Sequence, residues 1–341
     1  MQNQLIIDLG TGFLKYGYPD QSKPRIMPAY LTATDDRVGD QYLTMLDPTR
    51  AGKFFPLENG NLPDADVLKP LILGVFDRLG LGGHQRVATE VQLLVFSPVD
   101  PNHVYQVCDD LRALLGCRKL LAAYQQLLAL LFLKKHTGLV VDIGHSVTLV
   151  TPIYQGFLLR EHIVDTAVGG LYVSAALRRL LEEMAKESTR YSDYAKLATD
   201  VKAVEYIKRN FCQIQHDPRD KTTPREWNYR RKNVNVPLGT VTWRAPEVLF
   251  DPSLIGISDT GIVDAVVESI EQVDITIRRE LSNDIVLIGG GSMVLGLRER
   301  LELEIQRKLP HLPINVYGLE DALSFAWQCA VHLVEPVTKQ K

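Results

Sequence analysis

Leu139-Val140-Val141-Asp142-Ile143-Gly144-His145-Ser146-Val147 repeats in kind a stretch near the start of the chain, Leu5-Ile6-Ile7-Asp8-Leu9-Gly10-Thr11-Gly12-Phe13. Each is a short apolar run, an aspartate, a glycine-bearing turn and a return to apolar residues. That order predicts a buried strand, a tight turn and a second strand. Recurrence of the unit so far along one chain predicts two similar domains, each offering a hairpin with a carboxylate beside its turn. If the domains face one another, Asp8 and Asp142 face one cleft.

Further apolar runs at 91–96 and 285–288 alternate with helical patterns at 65–79, 102–115, 169–184 and 260–281, so the predicted class is α/β. The apolar stretch 120–133 is shorter than the roughly 20 residues that span a bilayer and contains Gln125 and Gln126, so it reads as a buried helix. A length of 341 residues with 45% hydrophobic composition suits two domains. A net charge of −3 gives no reason to expect duplex nucleic acid or an anionic membrane as partner. Residues 216–233 hold six basic side chains interleaved with Asp217, Asp220 and Glu226, which favours a solvated surface excursion over a nucleic-acid patch. Cys108, Cys117, Cys212 and Cys329 are scattered, which fits small buried hydrophobes in a reducing compartment better than a zinc site. The first residues carry no basic leader and Asp8 interrupts their apolar run, so the expected location is cytoplasmic.

Gly10-Thr11-Gly12 lets backbone N–H groups approach a ligand and form an anion-binding concavity, with the Thr11 hydroxyl and the Lys15 ammonium beside it. An ordinary glycine-rich turn with a surface lysine fits the same residues. Two facing turns shift the balance, because phosphoryl chemistry is catalysed mainly by positioning and by neutralising oxygens. Asp8 and Asp142 would then hold a magnesium ion, which needs only one or two carboxylates besides water and phosphate. A third loop, Gly289-Gly290-Gly291-Ser292 after the 285–288 run, suits a flat or anionic ligand or simply tight strand-to-helix packing; Val168-Gly169-Gly170 is similar. Gln125, an amide in an apolar stretch, either orients a water or satisfies a structural hydrogen bond.

With three phosphate-type loops in this order, the sequence resembles the actin superfamily, and within it actin and actin-related proteins. The resembling stretches are 6–12 with Lys15, 38–40, 55–60, 152–156, 246–252, 274–281 and 289–293, in the family's order over nearly the whole chain. The resemblance implies an actin-like ATPase fold of two similar ribonuclease-H-like halves. These would be 1–132 with 325–341, its outer subdomain about 30–55, and 133–324, its outer subdomain about 168–250. It implies ATP or ADP with Mg²⁺ as cofactors. Asp8 and Asp142 match the cation-side aspartates, Gly10, Thr11, Gly12, Phe13 and Lys15 the first phosphate loop, and Gly144 and His145 the second. Gln125 matches the glutamine that positions the attacking water. Gly289, Gly290, Gly291 and Ser292 match the adenosine loop, Gly169 and Gly170 the region near the ribose, and Lys208 a basic residue beside the base.

Several positions depart from the pattern. His145 stands where the family has an aspartate, Ser146 replaces a glycine, and Leu149 replaces a water-contacting histidine, which implies slower or differently organised hydrolysis. Arg209 and Leu323 replace a ribose-contacting glutamate and an adenine-flanking lysine, which bears on base selectivity. The segment between Tyr30 and Val38 is too short for the DNase-binding loop, and most of the C-terminal target region is missing, while 252–257 matches the plug. The leading expectation is therefore a cytoskeletal ATP-binding protein that self-assembles in a nucleotide-dependent way and hydrolyses ATP slowly. The alternative is a non-polymerising actin-related scaffold subunit of a larger complex with structural ATP. A small-molecule kinase on the same fold is the third reading.

Overall fold

Two sheets with one strand order organise the chain. The computed structural model describes residues 4–32, 53–54, 63–81, 90–96, 101–116, 120–187, 191–217, 228–231 and 234–334. These divide into two compact units, residues 1–135 with 323–341, and 136–322.

In the first unit, β1 (Gln4–Leu9) and β2 (Phe13–Gly17) form an antiparallel hairpin, β3 (Arg25–Pro28) extends it, and β4 (Leu31–Thr32) pairs separately with β5 (Lys53–Phe54). On its other side β1 runs parallel to β6 (Glu90–Phe96), which runs parallel to β7 (Leu121–Tyr124), giving the order β3-β2-β1-β6-β7. The helices α1 (Ala65–Arg78) and α2 (Pro101–Leu115) precede and follow β6, so β6-α2-β7 is a strand-helix-strand crossover. Leu68, Leu71, Ile72, Val75 and Phe76 of α1 join Val104, Val107 and Leu111 of α2 in a core with Leu5, Ile7 and Leu14, the helical spacing that one buried face demands.

The second unit repeats the plan. Its hairpin is β8 (Gly138–Ile143) with β9 (Thr148–Tyr154), and β10 (Phe157–Leu158) and β11 (Val164–Thr166) both pair with β9. β14 (Ile285–Ile288) lies parallel to β8, and β15 (Val316–Tyr317) parallel to β14. Every residue of β8 and β14 is buried, which explains why both read as continuous apolar runs and not as alternating ones. A second two-stranded element pairs β12 (Asn228–Arg231) with β13 (Val234–Pro237).

Helices α3 (Gln125–Phe132), α4 (Gly170–Glu187), α5 (Tyr191–Thr199), α6 (Val201–Phe211), α7 (Val241–Arg244), α8 (Ile262–Gln272), α9 (Ile275–Asn283), α10 (Leu297–Lys308) and α11 (Phe325–Val334) complete the set. Asp200 caps α6 by accepting from the Lys202 and Ala203 N–H groups at 3.0 and 3.2 Å. Arg300 of α10 is buried, donates to both Glu247 carboxylate oxygens at 3.3 and 3.2 Å and to the Gln215 carbonyl at 3.0 Å, and stacks over Phe250. It thereby ties the 246–252 stretch to the last crossover helix. Burial pushes the Glu247 carboxyl up, against the pull of Arg300.

Three expectations are corrected. Residues 121–124 are strand β7 and not helix; the helix of this stretch is only α3, because a short apolar run has no period that separates the two states. The helix expected over 260–281 is two helices, since the Asp274 carboxylate accepts from the Thr276 N–H at 2.8 Å and starts α9 afresh after the extended Val273. Residues 228–231 of the expected surface excursion form strand β12.

Cys108, Cys212 and Cys329 are free and buried, and burial pushes their thiols up to about 11, 12 and 12. No helix among the described residues is long and apolar enough to cross a membrane. The stretches 38–40 and 55–60, Cys117 and most of the expected outer segment 30–55 lie outside the described residues.

Candidate functional site

The hairpin registers carry the site residues. In the first unit Asp8 lies directly across from Lys15, and Leu9 across from Leu14, closing the turn Gly10-Thr11-Gly12-Phe13. In the second unit the pairs are Asp142 with Leu149 and Ile143 with Thr148, closing Gly144-His145-Ser146-Val147. Both turns are equally tight. A Cβ on Gly10 would stand 2.7 Å from the Phe13 carbonyl oxygen, and one on Gly144 would stand 2.9 Å from that of Val147. Only glycine lets the chain close so sharply without displacing backbone.

Asp8 is 1% exposed and its Oδ2 lies 3.1 Å from Lys15 Nζ, an ion pair without hydrogen-bond alignment, while Oδ1 has no hydrogen-bond partner. Burial raises the Asp8 carboxyl above its ordinary value, and the Lys15 charge works against that rise. A buried carboxylate with unused lone pairs beside a glycine turn fits a group that brings positive charge or water-borne donors, which is the chemistry of a hydrated divalent cation. Gln125 is the first residue of α3, immediately after β7. The carboxyl ends of the parallel strands β1, β6 and β7 share one edge of the sheet, with β7 two strand spacings, about 10 Å, from β1. That edge is where open α/β sheets bind ligands.

In the second unit three glycine loops are locked to one another. Gly170 and Leu171, at the start of α4, donate to the carbonyls of Gly144 at 3.0 Å and His145 at 2.7 Å. A Cβ on Gly169 would stand 2.8 Å from the His145 carbonyl and 2.9 Å from that of Gly144. Gly289 has φ of 82° and ψ of 156°, a conformation that glycine alone adopts easily. Its hypothetical Cβ would lie 2.6 Å from Asp142 Oδ1 and 2.5 Å from the Ile143 carbonyl, and that of Gly291 would run into Ile143 Cγ2. Gly290 opens a short 3₁₀ turn in which the Ser292 hydroxyl donates to the Gly289 carbonyl at 2.8 Å. Thus Asp142, Gly144, His145, Gly169, Gly170, Gly289, Gly290, Gly291 and Ser292 come together within this unit. Asp8, Gly10, Thr11, Gly12, Phe13 and Lys15 come together in the first.

Lys208 Nζ donates to the Gly170 carbonyl at 2.9 Å, to Ser174 Oγ at 2.8 Å and to Glu205 Oε1 at 2.9 Å. Sequence reading missed Ser174 and Glu205. The three-residue spacing of Glu205 and Lys208 on one helix was a usable signal; Ser174 gave none. Arg209, beside Lys208, is exposed.

A family model described as Actin matches residues 1–328. The chain belongs to the actin family. It is 26% identical over 336 residues to an "Actin-like protein" of Neurospora crassa, a match covering 89% of this chain and 83% of the relative. It is 27% identical over 325 residues to the "Actin-related protein 2" of Schizosaccharomyces pombe, covering 89% and 80%. The "Actin-related protein 2" of Saccharomyces cerevisiae is 26% identical over 332 residues, covering 89% and 81%. The mixed α/β architecture with duplicated hairpins agrees with an actin-like ATPase fold.

Proposed function

We propose that this actin-family chain binds ATP or ADP with Mg²⁺, hydrolyses ATP slowly, and self-assembles under the control of the bound nucleotide. The observation that carries the reading is Asp8: a buried carboxylate on a tight glycine turn, offset by Lys15 across the hairpin and with Oδ1 unpartnered. Asp8 in the first unit and Asp142 in the second are the carboxylates that would hold the cation through water. When bound, the cation would neutralise phosphate oxygens. Lys15 and the N–H groups of Gly10, Thr11, Gly12 and Phe13 bind phosphate, with Gly144 and His145 as the second turn. Gly169, Gly170 and Gly289 to Ser292 leave side-chain-free backbone for the nucleoside. Gln125, at the strand edge beside the first turn, holds a water by its amide; attack of that water on the terminal phosphorus breaks the bond to ADP and releases a proton to solvent.

Titration of a fluorescent ATP analogue with and without Mg²⁺ tests the reading. Binding that needs Mg²⁺ and is lost on Asp8→Ala supports it, and binding unchanged by that substitution overturns it. Sedimentation with Mg-ATP, Mg-ADP or no nucleotide then tests assembly, the expected result being a pellet above a threshold concentration with ATP alone.

Under either reading the expected location is cytoplasmic and cytoskeletal; a second reading, a non-polymerising scaffold subunit of a larger actin-related complex with structural ATP, is favoured by Leu149. Opposite Asp142 it can neither accept a proton nor orient a water, and two of the relatives carry the name actin-related protein 2. A monomer at every concentration in Mg-ATP would make this the better account.

A further inference from the structure

An ammonium has three protons and no lone pair. Lys208 has three oxygen acceptors within 2.9 Å: the Gly170 carbonyl, Ser174 Oγ and Glu205 Oε1. Its side chain is 12% exposed, so every donor it has is directed into the protein. The Ser174 hydroxyl donates in turn to Glu205 Oε1 at 2.7 Å, its closer acceptor, with the Gly170 carbonyl 3.0 Å away. The acceptor that matters most is the Gly170 carbonyl. Gly170 is the first residue of α4, and its N–H and that of Leu171 hold the Gly144 and His145 carbonyls. A continuous hydrogen-bonded line therefore runs from Glu205 through Lys208 to the first turn of α4 and on to the Gly144-to-Val147 turn. There is little slack in it, since neither Gly169 nor Gly144 has room for a Cβ. Burial pulls the Lys208 ammonium down from its ordinary value and Glu205 opposes this. Burial pushes the Glu205 carboxyl up, yet Lys208, Ser174 and the nearby His145 leave it lowered on balance. Each member of the pair keeps the other charged.

We propose that Lys208 is a positioning residue: with Glu205 as its counter-ion it fixes the start of α4, and through it the glycine turn 144–147, and it makes no contact with the nucleoside. The inference rests on the reading of that turn as a phosphate-holding loop.

Calorimetric binding of Mg-ATP and of Mg with inorganic triphosphate, to the wild-type chain, Lys208→Met, Glu205→Gln and the double variant, tests it. Triphosphate has no base or ribose. The expected result for Lys208→Met is a loss of about tenfold or more for both ligands by the same factor, as removal of a charged hydrogen-bond donor implies. Glu205→Gln, an isosteric change that spares the fold, shifts both ligands in the same direction by less. The double variant is no worse than Lys208→Met, because the two side chains act as one unit. Amide exchange at Gly170 and Leu171 quickens in both single variants. A loss for ATP that spares triphosphate would overturn the proposal, since it would mean that Lys208 touches the nucleoside. Unchanged exchange at Gly170 and Leu171 would overturn it too. If the wild-type chain binds neither ligand, the nucleotide reading fails, and the exchange measurement still decides whether Lys208 holds the helix start.

Discussion

The two hairpins have the same register and turns of the same tightness, yet one cross-strand pair differs: Asp8 faces Lys15, and Asp142 faces Leu149. In the first unit the buried carboxylate has its counter-charge built into the neighbouring strand. In the second the facing side chain is apolar, and Asp142 Oδ1 lies instead against the Gly289 backbone of a different loop. The duplication therefore preserves a scaffold, not a chemistry. Strand order and turn geometry recur because they follow from buried apolar runs and glycine, whereas the partner of each carboxylate is set by single positions that can diverge.

Lys15→Leu would copy the second hairpin's pair into the first, and it carries the largest expected effect. Breaking a buried ion pair from one side leaves an uncompensated charge and costs about 3–5 kcal/mol. Urea unfolding at pH 7 measures it. The pH dependence has a definite sign. The Asp8 carboxyl is raised in the folded state above its ordinary value, so the folded chain binds its proton more tightly, and this group's contribution to stability falls as pH rises from that ordinary value to the folded one. Removing Lys15 removes the charge that opposes the rise, which lifts the folded value further and widens that window upward. The variant should thus lose least at low pH and most above the folded value. An equal loss at pH 4 and pH 8 would show that the lysine does not compensate Asp8.

Gly289→Ala and Gly10→Ala sharpen the contrast between a carboxylate held by a strand and one held by a loop. Gly289 combines a positive φ with a Cβ position 2.6 Å from Asp142 Oδ1, so alanine there should cost about 3 kcal/mol or more. At Gly10 φ is ordinary and the main conflict is the Phe13 carbonyl at 2.7 Å, which predicts a smaller loss of about 1–2 kcal/mol. Thermal unfolding of both variants gives the comparison, and an equal cost would mean that the Gly10 turn and the Gly289 loop are strained alike.

Leu149→Lys makes the reverse exchange. The new ammonium can pair with Asp142, but it enters a position that is 3% exposed and shaped for leucine, so a loss of about 1–3 kcal/mol is expected, smaller than that of Lys15→Leu. A loss exceeding that of Lys15→Leu would show that the surroundings of Asp142 reject a counter-charge.

What could be read from the sequence follows the same division between scaffold and partner. Strand β14 matches the expected 285–288 and β6 extends the expected 91–96 by one residue; β8 and β14, buried along their whole length, stand out in the sequence as unbroken apolar runs. The glycine turns were visible for a similar reason, since few residues can occupy them. Strand β7 was hidden because its four residues run into α3 with no turn residue between them, and the division of 260–281 was hidden because apolar periodicity ran across Asp274 despite its capping signal. The line from Glu205 to the Gly144 turn joins three segments far apart in sequence, and no local pattern announces such a contact.

Gln125 carries the smallest expected effect on stability and bears most directly on what separates the hairpins. Its position at the first turn of α3, after β7, needs no particular side chain for helix formation, and alanine is the better helix former. Gln125→Ala should therefore change unfolding free energy by less than about 1 kcal/mol and leave nucleotide affinity near its wild-type value. Phosphate release should fall on the proposed role of this amide, because Gln125 follows β7 at the same sheet edge as the Asp8 turn, the hairpin with the charged pair, while Leu149 in the other hairpin offers no substitute. A single-turnover assay separates the outcomes. Slower release at unchanged affinity would place water orientation in the first unit, and release at the wild-type rate would mean that hydrolysis does not depend on the side of the molecule that kept its counter-charge.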